Sequence, residues 1–378
     1  MQVSPQLGPE IIAKTTPSKS TPSKTLALKF WPILSLAALV VGAAGWSSFW
    51  YFASGRTETV LETWMAHESA DGRSWSCPDR RIDGNPFQIV ISCVNPDFRG
   101  EVSGRQIIGS LKAVRLSASL FRPSRIAAEL EAPFRLRSKE QNRDGEAQFD
   151  AQWESLRFDL DGRPQLPELI AAQAQNLKLA GNVPDVGAIG GTIGALHARF
   201  TKAANPERAY DFHFVLDQVS NPELDSFLKA RVPAAIELEG TITEADFTKV
   251  SAGSGPAKPR LEDLIEHWRA TGGRIDLRLA RLQSGTIKFE TDGTLSLDDE
   301  HRPQGHLNAQ LLGFEPILMR FGINPTLVGA GSFLNSLFGN SGQARGTGPT
   351  ALRLPVVMDA GSLRIGPMRT SVHLPSLY

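Results

Sequence analysis

The longest uninterrupted apolar run lies near the start of the chain. From Phe30 to Ala53 no side chain ionises except the weakly acidic Tyr51. At about 1.5 Å per residue the run spans about 36 Å as a helix, against a hydrocarbon core of about 30 Å. Trp31 stands at one end and Trp46, Trp50 and Tyr51 at the other, where amphipathic rings prefer the two headgroup interfaces. Residues 30–53 are therefore predicted to be a transmembrane helix. Lys14, Lys19, Lys24 and Lys29 precede it, whereas Arg56 after it is soon met by Glu58 and Glu62. The positive-inside bias puts the N-terminus in the cytoplasm and the rest of the chain outside. A cleaved signal peptide is the competing reading, since Phe52-Ala-Ser-Gly55 offers small residues. Against it stand a hydrophobic stretch longer than the usual run of about 7 to 15 residues and the crowding of Trp and Tyr at the cleavage position. A buried core helix is the other alternative, weakened because both faces are apolar.

Residues 1–29, rich in Ser, Thr, Pro and Lys, carry too few large apolar groups to offset the entropy of ordering and are predicted to be a disordered tail. Residues 54–72 place Val60, Leu61, Trp64 and Met65 at helical spacing before Asp71-Gly72. This predicts a juxtamembrane helix laying one apolar stripe on the folded domain. A helix on the membrane surface is the alternative, with an acidic polar face that disfavours anionic lipid.

Residues 73–378 read mostly in period two. Phe87 to Cys93, Ala113 to Phe121, Arg125 to Glu131, Pro133 to Arg137, Gln148 to Asp159, Ile193 to Phe200, Tyr210 to Leu216 and Ala234 to Ile242 are predicted strands. So are Gly273 to Leu282, Thr286 to Thr291, Gly293 to Leu297 and Gly305 to Leu312, with Gly, Pro, Asn and Asp clusters between them. Short strands at close spacing imply antiparallel pairing, because parallel pairs need crossovers. Two turns share their chemistry, Leu160-Asp-Gly-Arg-Pro-Gln165 and Leu297-Asp-Asp-Glu-His-Arg-Pro-Gln304. Helices are expected from Asn221-Pro222-Glu223, over Leu261 to Trp268 with a stop at Gly272-Gly273, and in a third region between Glu315 and Phe338. The fold class is mainly β, a β-rich α+β chain in which an N-terminal transmembrane helix precedes a large, curved antiparallel sheet with a few packed amphipathic helices.

Charge narrows the functions. Forty Lys and Arg balance forty Asp and Glu, so the basic field behind nucleic-acid binding is missing. Two cysteines and seven scattered histidines make no metal-ligand set. Outside the cytoplasm, Cys77 and Cys93 bracketing a turn read as a disulfide across adjacent strands. Walker, HExxH, GxSxG and dinucleotide motifs are absent from the sequence. Gly187-Ala-Ile-Gly-Gly-Thr-Ile-Gly194 lacks phosphate-loop spacing and reads as a tight turn entering a strand. Asp159, Asp161, Asp298 and Asp299 are placed in turns, where local hydrogen bonding accounts for them. His197, His213 and His373 are expected to be packed or solvated side chains. No catalytic residue, cofactor or metal is assigned.

The span, the helix through Gly55-Arg-Thr-Glu and Leu61-Glu-Thr-Trp64, Cys77, and Asp83-Gly84-Asn85-Pro86-Phe87 leading into Cys93 resemble a bacterial envelope family known as domain of unknown function 2125. Gly285 to Leu297 and Leu354-Pro-Val-Val-Met-Asp-Ala-Gly361 to Pro367 are similar to its far end. That resemblance implies no established activity. A looser one, to AsmA-like envelope proteins, implies a curved sheet with an apolar groove and lipid traffic between membranes. Together these give the expected function: a non-enzymatic single-pass inner-membrane protein whose periplasmic domain binds or helps move lipid or another amphiphile. Leu277, Leu279, Ile287, Phe289 and Leu295 are the expected groove lining. The alternative is a structural or assembly factor that holds unidentified envelope proteins. An enzyme with dispersed sites ranks third.

Overall fold

The computed structural model describes residues 27–85, 87–102, 105–140, 145–163, 166–184, 187–204, 208–228, 232–246, 261–313, 352–366 and 368–378. Most of the expected tail and the third helical region lie outside them. The chain divides into two compact units, Met1–Phe52 and Ala53–Tyr378. Helix α1 (Ala27–Ala70) begins inside the expected tail and runs through both the expected span and the juxtamembrane helix. In the first unit Leu36, Leu39, Val40 and Val41 are all exposed. Among the described residues α1 is the one helix long and apolar enough to cross a membrane. In the second unit α1 ends in a two-bond cap: Gly72 N–H donates to Ser69 O and Arg73 N–H to Glu68 O, with Gly72 at φ +77°, as expected for a glycine stop.

Eighteen strands, all antiparallel to their partners, form one sheet among the described residues. The first group comprises β1 (Ser74–Ser76), β2 (Asp79–Asn85), β3 (Gln88–Val94), β4 (Asp97–Val102), β5 (Arg105–Ser119) and β6 (Ile126–Glu140). Next come β7 (Glu146–Gln152), β8 (Ser155–Arg163), β9 (Leu166–Val183), β10 (Gly187–Lys202) and β11 (Tyr210–Val219). Helix α2 (Pro222–Leu228), β12 (Ala234–Ile242) and helix α3 (Leu261–Ala270) follow. The chain then completes the meander with β13 (Ile275–Ser284), β14 (Ile287–Leu297), β15 (Pro303–Leu312), β16 (Leu352–Asp359), β17 (Ser362–Ile365) and β18 (Met368–His373).

The helix signals are realised locally. Asn221 Oδ1 accepts from the N–H groups of Glu223 and Leu224, 3.0 Å each, capping α2. Helix α3 closes through Gly272 N–H to Arg269 O and Gly273 N–H to Trp268 O.

Several strand boundaries differ from the sequence expectation. Arg125 to Glu131 and Pro133 to Arg137 are one strand, β6, which passes through a cis Ala132-Pro133 bond. Gln148 to Asp159 is divided at Trp153 and Glu154 into β7 and β8, which continue one another between β6 and β9. Thr286 to Thr291 and Gly293 to Leu297 merge into β14, because Gly293 at φ +142° lets the backbone bend without leaving the sheet. The glycine-rich run is strand, not turn: Gly187 to Ile193 pair residue by residue with Val183 to Leu177. Asp159 and Asp161 lie within β8, not in a turn. The short β1, β2 and β4, the long β9 and the last three strands lie outside the predicted strands.

Interruptions in neighbouring strands line up. Asn95-Pro96 between β3 and β4, the β5 bulge at Leu111/Ala113, Ala132-Pro133, Trp153-Glu154 and Asn176 at φ +52° lie in successive lanes, and Gln218 at φ +53° follows one lane further, beyond β10. Side-chain bonds tie the line together. Trp153 Nε1 donates to Leu130 O at 2.7 Å, and Asn176 Nδ2 donates to Glu154 Oε2. Bulges and left-handed residues bend strands without ending the ladder.

Candidate functional site

Cross-strand partners share a face, so the register shows which side chains form each surface. One row starts at Ile89 on β3 and passes through Ala118, Ile126, Leu160, Ile170 and Phe200. It continues through Phe212, Gly240, Leu277, Gly293, Leu307 and Val356 to Ile365 on β17. A second row runs from Ile82 on β2, through Leu116, Phe158, Phe214 and Leu238, to Leu354 on β16. Its polar member is Thr291. A third joins Cys93, Val114, Leu130, Leu196, Phe289 and Leu311, and its one charged member is Arg80, at the β2 edge. At about 4.8 Å between strands, each row is about 60 Å long.

Most positions of these rows stay partly exposed. Among the described residues the large apolar side chains that are buried are Phe212, Leu228 and Ile287, while Phe158 and Ile170 remain 39% and 38% exposed. Phe200, Phe212 and Phe214 cluster midway, with ring centroids 5.0 to 6.5 Å apart.

The opposite face is charged. One row there includes Arg115, Glu129, Arg157, Glu237, Arg281 and Glu290. Arg281 bridges Glu290 at 2.6 Å and Glu237 at 2.7 Å. The Arg281 hydrogen bond, helped by Lys288, holds the Glu290 carboxyl below the usual carboxylate range. Arg157 similarly lowers Asp159, and Arg278 joins Glu239 and Asp211 at 3.0 and 3.3 Å. The sheet is thus amphipathic from edge to edge.

One end of the apolar face is covered by α1. Trp64 meets Trp75 of β1 at 5.6 Å between centroids, and Trp75 meets Phe98 of β4 at 4.5 Å. Beneath Leu61, Trp64 and Met65 lies a cavity of about 480 Å³ floored by Ile91, Val114, Leu116 and Leu130, within the size range of small-molecule sites. Three of the four residues of the expected stripe line it, and Val60 does not; it points outward, 67% exposed. The Cys77–Cys93 disulfide, with Cα atoms 5.7 Å apart, forms part of the wall. Cys93 lies on β3 as expected, whereas Cys77 lies in the link between β1 and β2 rather than in a strand. Arg80 also lines this cavity. Its Nη2 donates to Glu62 Oε1 at 3.2 Å and Glu58 Oε1 at 3.4 Å on α1. Nothing in the alternation of β2 distinguished Arg80 from its neighbour Arg81; the register does.

Of the expected groove positions, Leu277 pairs with Gly293, Phe289 with Leu282 and Leu295 with Ile275, while Ile287 pairs with Ser284. These belong to the apolar face. Leu279 pairs with Glu239 at the β12–β13 bulge, on the charged side. Of the expected anchor aromatics, Trp46 and Trp50 are half-buried and Tyr51 exposed on α1, and Trp31 lies within the same helix.

A second concavity, about 720 Å³, is polar and lined by Gln175, Asn176, Asp217, Gln218 and Gln283. His197 and His373 are exposed, and His213 Nε2 faces Glu237 at 3.3 Å. Among the described residues no group of three or more His, Cys, Asp or Glu side chains could hold a metal ion.

No curated protein and no solved structure matches the chain. A family model matches residues 50–371, which take in the latter half of α1, the disulfide-closed β2–β3 hairpin and nearly all of the strands, and the chain therefore belongs to the bacterial family described as an uncharacterized protein conserved in bacteria, DUF2125.

Proposed function

We propose that the chain is a single-pass protein of the bacterial inner membrane, its N-terminus cytoplasmic and residues 54–378 periplasmic. In this reading the β-rich domain binds, or helps move, lipid or another amphiphile without catalysis of its own. The supporting observation is the set of three apolar rows that cross the sheet and stay half-exposed. An apolar surface of that extent marks a partner or ligand site, and a face about 60 Å long suits extended hydrocarbon chains. The disulfide fits an oxidising compartment, and the lysines before the span fit a cytoplasmic N-terminus.

The test is photocrosslinking of the full chain in nanodiscs that contain a phospholipid with a diazirine near the end of one acyl chain. Adducts are expected on peptides that carry Ile91, Val114, Leu130, Phe158 or Phe289. Adducts confined to residues 27–53 would sink the reading and favour an assembly factor. That alternative draws on the sheet edges at β2 and β18, each paired on one side alone among the described residues.

A further inference from the structure

Resting on that reading, we infer that Arg80, Glu58 and Glu62 form a headgroup site for a phospholipid that carries both a phosphate and a free amine. The three apolar rows contain one charged residue, and it stands where a headgroup would have to be. Arg80 ends the third row at the sheet edge, in register with Cys93 and Val114, so a chain lying along that row brings its polar end to the guanidinium. The Arg80 side chain is 21% exposed and borders the α1-covered cavity, with Nη1 3.8 Å from Met65 Sδ.

The local charge selects the headgroup. Two carboxylates four residues apart on α1 face one guanidinium, and Asp97 is a further acid on the cavity wall. The cluster carries net negative charge, so a headgroup with phosphate alone adds an anion to an excess of anions. A zwitterion does not. Its phosphate meets the arginine, which has five N–H donors of which the two carboxylates engage those of one nitrogen. Its ammonium meets Glu58 and Glu62, which remain 57% and 62% exposed and open to solvent. Both carboxylates lie within ten residues of Ala53 in sequence, close to where a bilayer headgroup layer would follow the span.

The experiment compares three probes with the same diazirine chain in nanodiscs of the full protein: phosphatidylethanolamine, phosphatidylglycerol and free palmitate. Adduct yield on the peptides carrying Ile91, Val114 and Leu130 is normalised to the yield on residues 35–52, which reports reconstitution. Phosphatidylethanolamine is expected to exceed phosphatidylglycerol about fivefold, the ratio that about 1 kcal/mol of exposed pairing gives at tenfold per 1.4 kcal/mol. The Glu58→Gln/Glu62→Gln double variant, changed only at exposed helix positions, should bring the two lipids to parity. Arg80→Gln should lower both phospholipids, with Arg80→Lys restoring part of the yield. Equal cavity labelling by phosphatidylethanolamine and phosphatidylglycerol, or palmitate labelling as strong as either, overturns the headgroup assignment and leaves the chain site standing. Absence of cavity labelling by every probe overturns the chain site as well.

Discussion

Thr291 interrupts the second apolar row between Ala280 and Ala309, its partners on either side. Its hydroxyl is buried and has no hydrogen-bond partner among the described residues. A buried hydroxyl without a partner costs stability that an isosteric methyl does not. Thr291→Val is therefore expected to raise the unfolding midpoint, by about 1 kcal/mol in stability; a lowered midpoint would mean that the hydroxyl is engaged. Cys77 and Cys93 act in the opposite direction. They close a loop of 16 residues, and the Cys77→Ser/Cys93→Ser double variant should lose about 3 kcal/mol, read as a lower thermal midpoint than the oxidised parent. Glu266 gives a pH signature. It accepts hydrogen bonds from Arg269 and from the Tyr378 hydroxyl at 2.9 Å, and these hold its carboxyl down from 4.5 to about 2. A depressed carboxyl stabilises above its unfolded value and loses that contribution as pH falls through the folded one. Amide protection at Leu374 and Leu377, which donate to Gly361 O and His301 O, should hold at pH 5 and above. It should fade between about 4.5 and about 2, and Glu266→Gln should abolish that pH dependence.

Elements depend on a few local devices. Asn221 caps α2 and also donates from Nδ2 to Gly190 O at 2.7 Å, which ties the helix start to β10. Asn221→Ala should cost about 1 kcal/mol for the cap, measured by chemical unfolding; a neutral result would show that the cap is replaced by solvent. Gly293 is required for a different reason. At φ +142° a Cβ would stand 2.1 Å from His306 O and 2.8 Å from Leu307 Cα, both backbone atoms that cannot yield cheaply. Gly293→Ala should destabilise by about 1–3 kcal/mol and raise amide exchange in β14 and β15 before other strands. The strand expectations failed at points of the same kind. A turn signal such as Asp292-Gly293, or a proline such as Pro133, ends a strand when read locally, yet the neighbouring lanes carry the ladder across it. The opposite error occurred at Trp153, where nothing in the alternation marks the break between β7 and β8.

At the scale of the whole molecule, the anchor and the amphipathic sheet make separate predictions. The full chain should stay with membranes through alkaline carbonate extraction, as a spanning helix does and a surface helix does not. Cysteine labels introduced before Phe30 and after Ala53 should react from opposite sides of the membrane. Much of this was legible in the sequence, because hydrophobic length, flanking lysines and strand alternation depend on residues that are neighbours along the chain. Strand alternation shows that each strand has one apolar side. It does not show that Ile89, Phe200, Leu277 and Val356, more than 260 residues apart from first to last, fall in one row, or that a bulge turns Leu279 toward Glu239. Nor does it separate Arg80 from Arg81 or bring Glu58 and Glu62 to it, since that needs a helix laid back against the β2 edge. Local spacing and local hydrogen bonding were enough to read one helix long and apolar enough to cross a membrane, the β class, the disulfide pair and the helix caps. Only the fold joins the apolar sides into one half-exposed face and sets Arg80 at its edge, because register, bulges and coverage are properties of strands that meet only in space.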